Sequence, residues 1–281
     1  MLTGLPLFTA VLIGVARAGP CDIYDKAGTP CVAAHSTVRA LRDDYIHGLY
    51  QVKPPAGGAK KKAEGLAVAN RLPVKIGEHK AYGVWIEDGI GYRNNNTTGI
   101  ATGDDAQAIY MVVDGTRYNT GCCFDYGNAE TTNNDDGPGT MEALYFGSST
   151  QWGRGEGTGP WVMADLEDGL FGCVQKQCPN LPTVKYRYLV AMLKGRSGGT
   201  FALKQGDAQS GTLTTTYDGP RPPKYTVMKK QGAIILGIGG DNSNWAIGNF
   251  FEGCIVNGDP TDAIDNKIQT NIVSAGYGQQ V

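Results

Sequence analysis

Short runs of apolar, β-branched and aromatic residues recur along the chain after about residue 80, and turn pairs such as Asp114-Gly115, Asp218-Gly219 and Asn257-Gly258 separate them. This alternation predicts strands joined by tight turns. The predicted strands cover residues 81–86, 108–113, 143–146, 161–166, 186–193, 212–217, 233–236 and 250–256. Helical periodicity is limited to residues 36–50 and 261–275. The expected fold is therefore all-β, an antiparallel β-sandwich with a few short helices.

The N-terminus has a different pattern. An apolar stretch at residues 5–15 precedes Ala16-Arg17-Ala18, which has the small-x-small form of a signal-peptidase site. We therefore expect residues 1–18 to be a signal peptide and the protein to be secreted, with one domain at residues 19–281. A membrane anchor is the alternative, but the apolar stretch is too short to span a bilayer. Residues 53–62 form a Lys/Pro/Gly run that predicts a flexible surface loop.

Composition narrows the classes of partner. The 281 residues include 41 glycines, which suits a chain with many tight turns, and leave ample room for an apolar core. The formal net charge is only −2, and no extended basic surface is apparent from the sequence. Nucleic acids and anionic membranes are therefore poor partners for this protein.

Seven cysteines are typical of an oxidising compartment. Two spacings are compatible with short disulfide loops: Cys21–Cys31 and Cys173–Cys178. The adjacent Cys122 and Cys123 can bond to each other, can each bond elsewhere, or can leave one thiol reduced, and Cys254 is left over. Zinc is a competing interpretation, but the cysteines lack the paired spacing of zinc sites, and the three histidines are scattered: His35, His47 and His79.

Two acids stand two residues apart in an otherwise apolar stretch, Asp165 and Glu167. If the strand continues through both, their side chains point to the same face. Like charges at such positions are unfavourable in a purely structural sheet. Glycosidases, in contrast, require neighbouring carboxyl groups that attack or stabilise the sugar and tune one another.

Other candidate groups surround this pair in the predicted topology. The Gly-rich stretch 237–244 follows a predicted strand and carries Asp241, which could reach a substrate or could simply form an Asx turn. Trp152 and Trp245 lie among polar and Gly residues, so they are better candidates for exposed sugar platforms than Trp161. Two overlapping glycosylation sequons begin at Asn95 and Asn96.

Residues 19–24, 29–36, 122–130 and 232–244 closely resemble the secreted fungal α-L-arabinofuranosidases B of glycoside hydrolase family 54. The resemblance covers most of the chain after residue 18, apart from residues 52–77. It implies a concanavalin-like or jelly-roll β-sandwich and a retaining, exo-acting hydrolase. Such an enzyme would remove terminal arabinofuranose from side chains of arabinoxylan or arabinan. We expect a secreted monomer that acts on plant cell-wall polysaccharides or oligosaccharides and needs no metal or organic cofactor.

By position, the resemblance implies that Glu167 is the nucleophile and Asp241 the general acid/base. Retention requires these carboxyl groups to lie about 5–5.5 Å apart. The other residues that the resemblance implies as sugar contacts are Asp165, Trp152, Cys122, Cys123, the backbone of Gly240, and Asp168. It also implies a vicinal disulfide, Cys122–Cys123, against the sugar and a structural disulfide, Cys21–Cys31.

The chain departs from the family in three places. Asp168 stands where family members usually carry Asn, residues 52–77 stand in place of a longer stretch, and we expect the family's C-terminal arabinose-binding module to be absent. Two other functions therefore stay open. The protein could be a non-catalytic carbohydrate-binding sandwich, or an inactive product of a truncated gene model.

Overall fold

The computed structural model describes residues 18–45, 67 and 71–278. These residues are mostly antiparallel sheet with two α-helices, which confirms the all-β prediction. The Lys/Pro/Gly run, His47 and all but the last residue of the predicted signal peptide lie outside them. None of the described helices is long and apolar enough to cross a membrane.

Fifteen strands and two helices are numbered here along the described chain. The strands are β1 (Cys31–Ser36), β2 (Pro73–Ile76), β3 (His79–Tyr82), β4 (Val84–Ile86), β5 (Tyr92–Asn94), β6 (Gln107–Asp114), β7 (Asp125–Ala129), β8 (Glu142–Gly147), β9 (Trp161–Asp165), β10 (Leu170–Phe171), β11 (Tyr188–Arg196), β12 (Thr200–Asp207), β13 (Ser210–Pro220), β14 (Ala233–Leu236) and β15 (Gly248–Asn257). The helices are α1 (Pro20–Lys26) and α2 (Asp262–Ser274).

Two large sheets pack against each other. The first has seven strands, in the order β1-β15-β6-β11-β12-β13 with β4 also paired to β15, and the second has six, in the order β10-β9-β8-β7-β14-β5. Leu144 and Val162 of the second sheet share one buried cluster with Ile109 and Leu193 of the first. Because side chains alternate along a strand, the neighbouring residues of β7, β8 and β9 point to the other face of the second sheet. The candidate site lies on that outer face.

The predicted helix at residues 36–50 is wrong over its described part. Ser36 ends β1, and residues 37–45 form bends and a turn. The Ser36 hydroxyl accepts hydrogen bonds from the backbone N–H groups of Val38 and Arg39, at 3.2 and 3.1 Å. Such local bonds compete with helical ones. The prediction at residues 261–275 is confirmed by α2, whereas α1, seven residues long, was not predicted.

Two details of the strand prediction also need correction. Residues 81–86 form parts of β3 and β4, which divide at Gly83, where a side chain would collide with Leu72 and Phe251. The Asp218-Gly219 pair is not a turn but lies within β13, and Gly219 pairs with Phe201. Strands β1, β2, β5, β7, β10 and β12 were not predicted. In β7 and β12, polar residues and glycine interrupt the apolar pattern.

Candidate active site

A cavity of about 290 Å³ opens on the outer face of the six-stranded sheet. The eight residues predicted to form a sugar site all line it: Cys122, Cys123, Trp152, Asp165, Glu167, Asp168, Gly240 and Asp241. Six further polar or aromatic residues contribute to its wall: Thr120, Asp135, Ser149, Gln151, Ser243 and Trp245. The structure therefore brings together these eight predicted residues from four separate parts of the sequence: 122–123, 152, 165–168 and 240–241.

Glu167 reaches the cavity from a tight turn and not from a strand. Strand β9 ends at Asp165 and β10 begins at Leu170, and Glu167 and Asp168 occupy the two central positions of the four-residue connection between them, with φ angles of +63° and +58°. Both angles are in the left-handed region, which tight hairpin turns require but which non-glycine residues rarely adopt. The argument that strand alternation directs Asp165 and Glu167 to one face was therefore wrong, although both side chains meet the cavity. Strain of this kind is concentrated at functional sites.

Hydrogen bonds fix the turn from two sides. The Asp165 carboxylate accepts the Glu167 backbone N–H at 3.2 Å. The hydroxyl of Tyr225, in a short 3₁₀ helix at Pro223–Tyr225, donates to the Glu167 carbonyl at 2.8 Å. Lys176 donates to the Asp168 carbonyl at 2.9 Å. The backbone of Glu167 and Asp168 is thus held by the side chains of three other residues.

Asp241 lies in the loop between β14 and β15. Its Oδ1 accepts the backbone N–H of Ser243 at 2.8 Å, which is the Asx turn considered as an alternative, and the residue is exposed to the cavity as well. The next residue, Asn242, has a φ of +68°. At Gly240 a Cβ atom would clash with Glu130 Oε2 and lie 2.8 Å from Glu167 Oε2, so only glycine fits beside these two carboxyls.

Arg93 of β5 organises the loop that carries Asp241. Its two Nη atoms each donate to the Gly240 carbonyl at 2.7 Å, and Nη1 also donates to Asn242 Oδ1 at 2.6 Å. Nη2 donates to the Glu130 carbonyl at 2.7 Å. One buried guanidinium therefore joins the end of β7 to the Asp241 loop.

Buried carboxyl groups meet in pairs beneath the cavity. Asp125 has no exposed surface and lies beside Asp165, and neither of its carboxylate oxygens has a hydrogen-bond donor among the described residues. Burial and the neighbouring Asp165 raise the pKa of Asp125 well above its ordinary value, and burial raises the pKa of Asp165 to about 7. Because two ionised carboxyls in contact repel each other, the raised pKa values favour a proton on this pair at neutral pH.

A second pair joins Glu130 to Glu167. Burial raises the pKa of Glu130. Burial and the charge of Asp165 raise the pKa of Glu167 to about 11. Two of the acids, Asp165 and Glu167, therefore face the cavity while each contacts a more deeply buried partner.

A flat sulfur surface and two indole rings form the apolar part of the cavity. Cys122 and Cys123 are joined in a disulfide, and a carboxylate oxygen of Asp165 lies within 4.8 Å of both sulfurs. Since both sulfurs are in that bond, neither supplies a thiolate to a metal. Trp152 and Trp245 are 37% and 51% exposed, whereas Trp161 is fully buried, which confirms the predicted distinction between them.

The other cysteines lie away from this cavity. Disulfides join Cys21 to Cys31 and Cys173 to Cys178. Cys254 keeps a buried free thiol, and its sulfur lies within 4.8 Å of the Cys21 and Cys31 sulfurs.

Sequence reasoning missed five polar residues of the cavity wall, Thr120, Asp135, Ser149, Gln151 and Ser243, and four residues behind it: Arg93, Asp125, Glu130 and Tyr225. The signal for Asp125 and Glu130 was present, because both acids lie in the block 122–130. A strand predicted at residues 125–129 would have placed Asp125 on the sheet. No periodic pattern marks Arg93 or Tyr225, whose partners are backbone carbonyls distant in sequence.

Comparison with known families identifies related proteins. A family model described as "Alpha-L-arabinofuranosidase B, catalytic" matches residues 20–56 and 52–278. The chain is 46% identical, over 320 aligned positions, to a probable α-L-arabinofuranosidase B of Aspergillus terreus, covering 94% of this chain and 63% of the relative. An α-L-arabinofuranosidase of Hypocrea jecorina is 46% identical over 319 positions, covering 94% of this chain and 64% of that protein. The chain thus spans slightly less than two thirds of the length of these relatives.

Solved structures agree with these matches. An arabinofuranosidase complexed with arabinofuranosyl-α-1,2-xylobiose superposes with a TM-score of 0.87 at 42% identity, covering 93% of this chain and 66% of that chain. An α-L-arabinofuranosidase of glycoside hydrolase family 54, soaked with a cyclic sulfate inhibitor, superposes with a TM-score of 0.86 at 42% identity. The match covers 92% of this chain and 66% of that chain.

Proposed function

The chain belongs to the family of the α-L-arabinofuranosidase B catalytic domain, and from this premise we propose that it is a retaining, exo-acting α-L-arabinofuranosidase. One observation supports the proposal most strongly. Glu167 and Asp241 line the same cavity, together with the six other residues that the resemblance assigns to sugar binding. A non-catalytic sugar-binding site would not require acids from two separate loops.

The proposed reaction uses these two carboxyl groups in turn. Ionised Glu167 attacks the anomeric carbon while Asp241 donates a proton to the departing oxygen. A covalent arabinosyl-enzyme results. Asp241 then accepts a proton from water, and the water displaces Glu167 from the anomeric carbon with overall retention.

The remaining cavity residues would bind the sugar. Asp165 accepts hydrogen bonds from hydroxyl groups, Asp168 and the Gly240 backbone add polar contacts, and Trp152 covers an apolar face of the ring. The disulfide Cys122–Cys123 provides a flat surface opposite these polar groups. A volume of about 290 Å³ suits one terminal sugar unit, which supports exo-action.

The substrates we propose are arabinose-bearing chains of arabinoxylan or arabinan and their oligosaccharides. A related arabinofuranosidase has been solved with arabinofuranosyl-α-1,2-xylobiose, which supports this class. The protein would act as a secreted monomer. The layered sheets would be of the concanavalin-like or jelly-roll type.

The region around residues 52–77 is the main difference from the family. The alignment to the Aspergillus terreus relative extends over 320 positions and therefore contains gaps opposite this chain of 281 residues. The family model also matches in two parts, which overlap at residues 52–56. Both observations support a segment shortened relative to the family. Of the described residues in that interval, 67 and 71–77, none lines the candidate site.

Glycosylation is proposed at Asn96 in preference to Asn95. The Asn95 side chain accepts a hydrogen bond from Arg93 Nε at 2.9 Å and donates to Asn133 Oδ1 at 2.6 Å. A glycan on its amide nitrogen would disturb these bonds, whereas Asn96 is exposed.

Hydrolysis of 4-nitrophenyl α-L-arabinofuranoside by purified protein tests the function. We expect wild-type turnover and a loss of at least about 10³-fold in kcat/KM for Glu167→Gln and for Asp241→Asn. Glu156→Gln, which changes an exposed acid outside the cavity, is the matched control. NMR of the first-formed arabinose should show the α-anomer.

The alternatives predict different results. A sugar-binding protein would bind arabinose without turnover, and Glu167→Gln would leave this binding largely intact. An inactive truncated product would show no cooperative melting transition. Equal turnover in wild type and both variants would contradict the assigned roles.

A further inference from the structure

Glu130 is a buried acid whose position the proposed reaction does not explain. It has no exposed surface, and its Oε1 lies 2.6 Å from the Thr140 hydroxyl, which donates to it. Its Oε2 has no hydrogen-bond donor among the described residues. A buried carboxylate oxygen without a donor is costly, unless a proton lies between it and a neighbouring acceptor.

The neighbouring acceptor is Glu167. Glu130 Oε2 and Glu167 Oε2 both converge on the position that a Cβ of Gly240 would occupy. Glu130 Oε2 lies closest to that position and Glu167 Oε2 lies 2.8 Å from it, so the two carboxyl groups are side by side. The absence of a side chain at Gly240 thus leaves room for the pair. This arrangement depends on three separate segments: the end of β7, the turn after β9 and the loop after β14.

The surrounding charges do not neutralise two ionised acids. The titratable groups that face the pair are Arg93 of β5, Asp125 of β7, Asp135 of the β7–β8 loop, Asp165 of β9 and Asp241 of the β14–β15 loop. Among them Arg93 is the single cation. Its guanidinium donates to the Glu130 carbonyl, not to either carboxyl of the pair. A proton shared by the two carboxyls is therefore favoured over two negative charges.

We propose that Glu130 and Glu167 share one proton, which rests on Glu167 in the ligand-free site and moves to Glu130 when the sugar binds, so that Glu130 donates a hydrogen bond to ionised Glu167 during the reaction. This inference rests on the proposed function. Glu167 forms the bond to the anomeric carbon, the glycosidic bond breaks, and the departing oxygen takes its proton from Asp241. The Glu130 proton stays on Glu130 during these steps. Glu130 is thus a positioning residue that keeps the nucleophile ionised and correctly oriented.

The donated hydrogen bond has a consequence for the second half of the reaction. When water displaces the sugar, Glu167 regains its negative charge. A donor that is already in place stabilises this charge without further reorganisation. Loss of the donor should therefore lower kcat while leaving the affinity for free arabinose unchanged, because Glu130 does not line the cavity.

Two variants separate the donor from the titratable proton. Glu130→Gln keeps the shape and, with its carbonyl towards Thr140, directs an N–H group to Glu167. Glu130→Ala removes both the shape and the hydrogen-bond donor. We expect kcat/KM for 4-nitrophenyl α-L-arabinofuranoside to stay within about 10-fold of wild type in Glu130→Gln and to fall roughly 10²-fold in Glu130→Ala.

Infrared spectroscopy detects protonated carboxyl groups directly. At neutral pH the C=O stretch of protonated carboxyl groups should lose intensity in Glu130→Gln relative to wild type. The matched control is Glu142→Gln, because Glu142 is equally buried but is paired with Arg221 at 2.7 Å, which lowers its pKa. This control should leave the protonated-carboxyl band unchanged.

The outcomes are distinct. An unchanged band in Glu130→Gln would overturn the shared proton, and equal losses of activity in both Glu130 variants would overturn the donated hydrogen bond. If Glu130→Ala does not fold, Glu130→Gln and the infrared band still decide. An inactive wild type would refute the proposed function, yet the band would still test the proton.

Discussion

Two regions of this protein bury carboxylates, and they do so in opposite ways. Under the seven-stranded sheet, each buried acid meets a cation: Glu252 accepts from Arg39 at 2.6 and 2.7 Å, and Asp265 accepts from Lys204 at 2.7 Å. Under the cavity of the six-stranded sheet, Asp125 meets another acid. The first region pairs its negative charges with cations, whereas the acids of the second region retain protons.

The difference shows what each region is for. Opposite charges in contact compensate each other's loss of hydration, so the first region stabilises the fold. Acids in contact with acids raise one another's pKa, which costs stability and is retained where chemistry needs it. The pattern therefore marks the functional face independently of any family resemblance. Three variants or conditions test this comparison.

The largest effect is expected from Glu252→Gln. This change leaves the Arg39 guanidinium, whose side chain is only 17% exposed, without its counter-charge. Breaking such a buried pair costs about 3–5 kcal/mol, so the free energy of unfolding in denaturant should fall by that amount. Asp218→Asn is the control, because its ion pair with Arg196 is at the surface and is worth less than about 1 kcal/mol. Equal stability of the two variants would show that the first region is not a stabilising one.

A smaller effect on stability but a clear effect on activity is expected from Arg93→Lys. An ammonium group cannot donate to Gly240, Asn242 and the Glu130 carbonyl in the same fork geometry. The Asp241 loop should lose its orientation, and kcat/KM should fall about 10²-fold. Arg187→Lys, at an exposed position, should leave kcat/KM unchanged. Wild-type kcat/KM in Arg93→Lys would show that the guanidinium does not position the loop.

The smallest effect is a difference in pH dependence. The folded pKa of Asp165 is about 7, above its unfolded value near 4. The folded protein therefore binds more protons between these values, and its free energy of unfolding should fall as pH rises from about 4 to 7, by up to about 1.4 kcal/mol per unit. The Glu142 carboxylate has the opposite effect on the free energy of unfolding. Because its pKa is lowered in the folded protein, its stabilising contribution is lost as pH falls.

Denaturant titrations at several pH values measure this slope. Asp165→Asn should make the fall in stability between pH 4 and 7 shallower, although Asp125, Glu130 and Glu167, whose pKa values are also raised, continue to contribute. Glu142→Gln should not make it shallower. An unchanged slope in Asp165→Asn would show that Asp165 does not bind the extra proton.

The sequence predicted the class of the fold because apolar runs and turn pairs mark most long strands. Strand β14 and helix α2 lie where the pattern indicated. It failed where few residues are apolar, as in β7, and where a local side-chain bond replaces a helix, as at Ser36. Alternation within a strand also could not foresee the two left-handed residues after Asp165, because that conformation depends on the hairpin.

The site was predictable to the extent that chemistry lies in recognisable blocks. Cys122, Cys123, Gly240 and Asp241 belong to such blocks, and Asp165 and Glu167 form an acidic pair in an apolar stretch. The residues behind them, Arg93, Glu130 and Tyr225, act on backbone atoms or on other side chains far away in sequence. Their roles follow from three-dimensional packing, which one-dimensional periodicity does not encode.

The bond from Tyr225 to the Glu167 carbonyl spans 58 residues, and this has a consequence for biosynthesis. During translation the Glu167 turn emerges first, and neither its anchor nor Asp241 has yet been made. A ribosome-bound chain that ends before Tyr225 would therefore neither bind nor hydrolyse the sugar at this site. Catalytic competence would arrive only when the last third of the polypeptide has been synthesised.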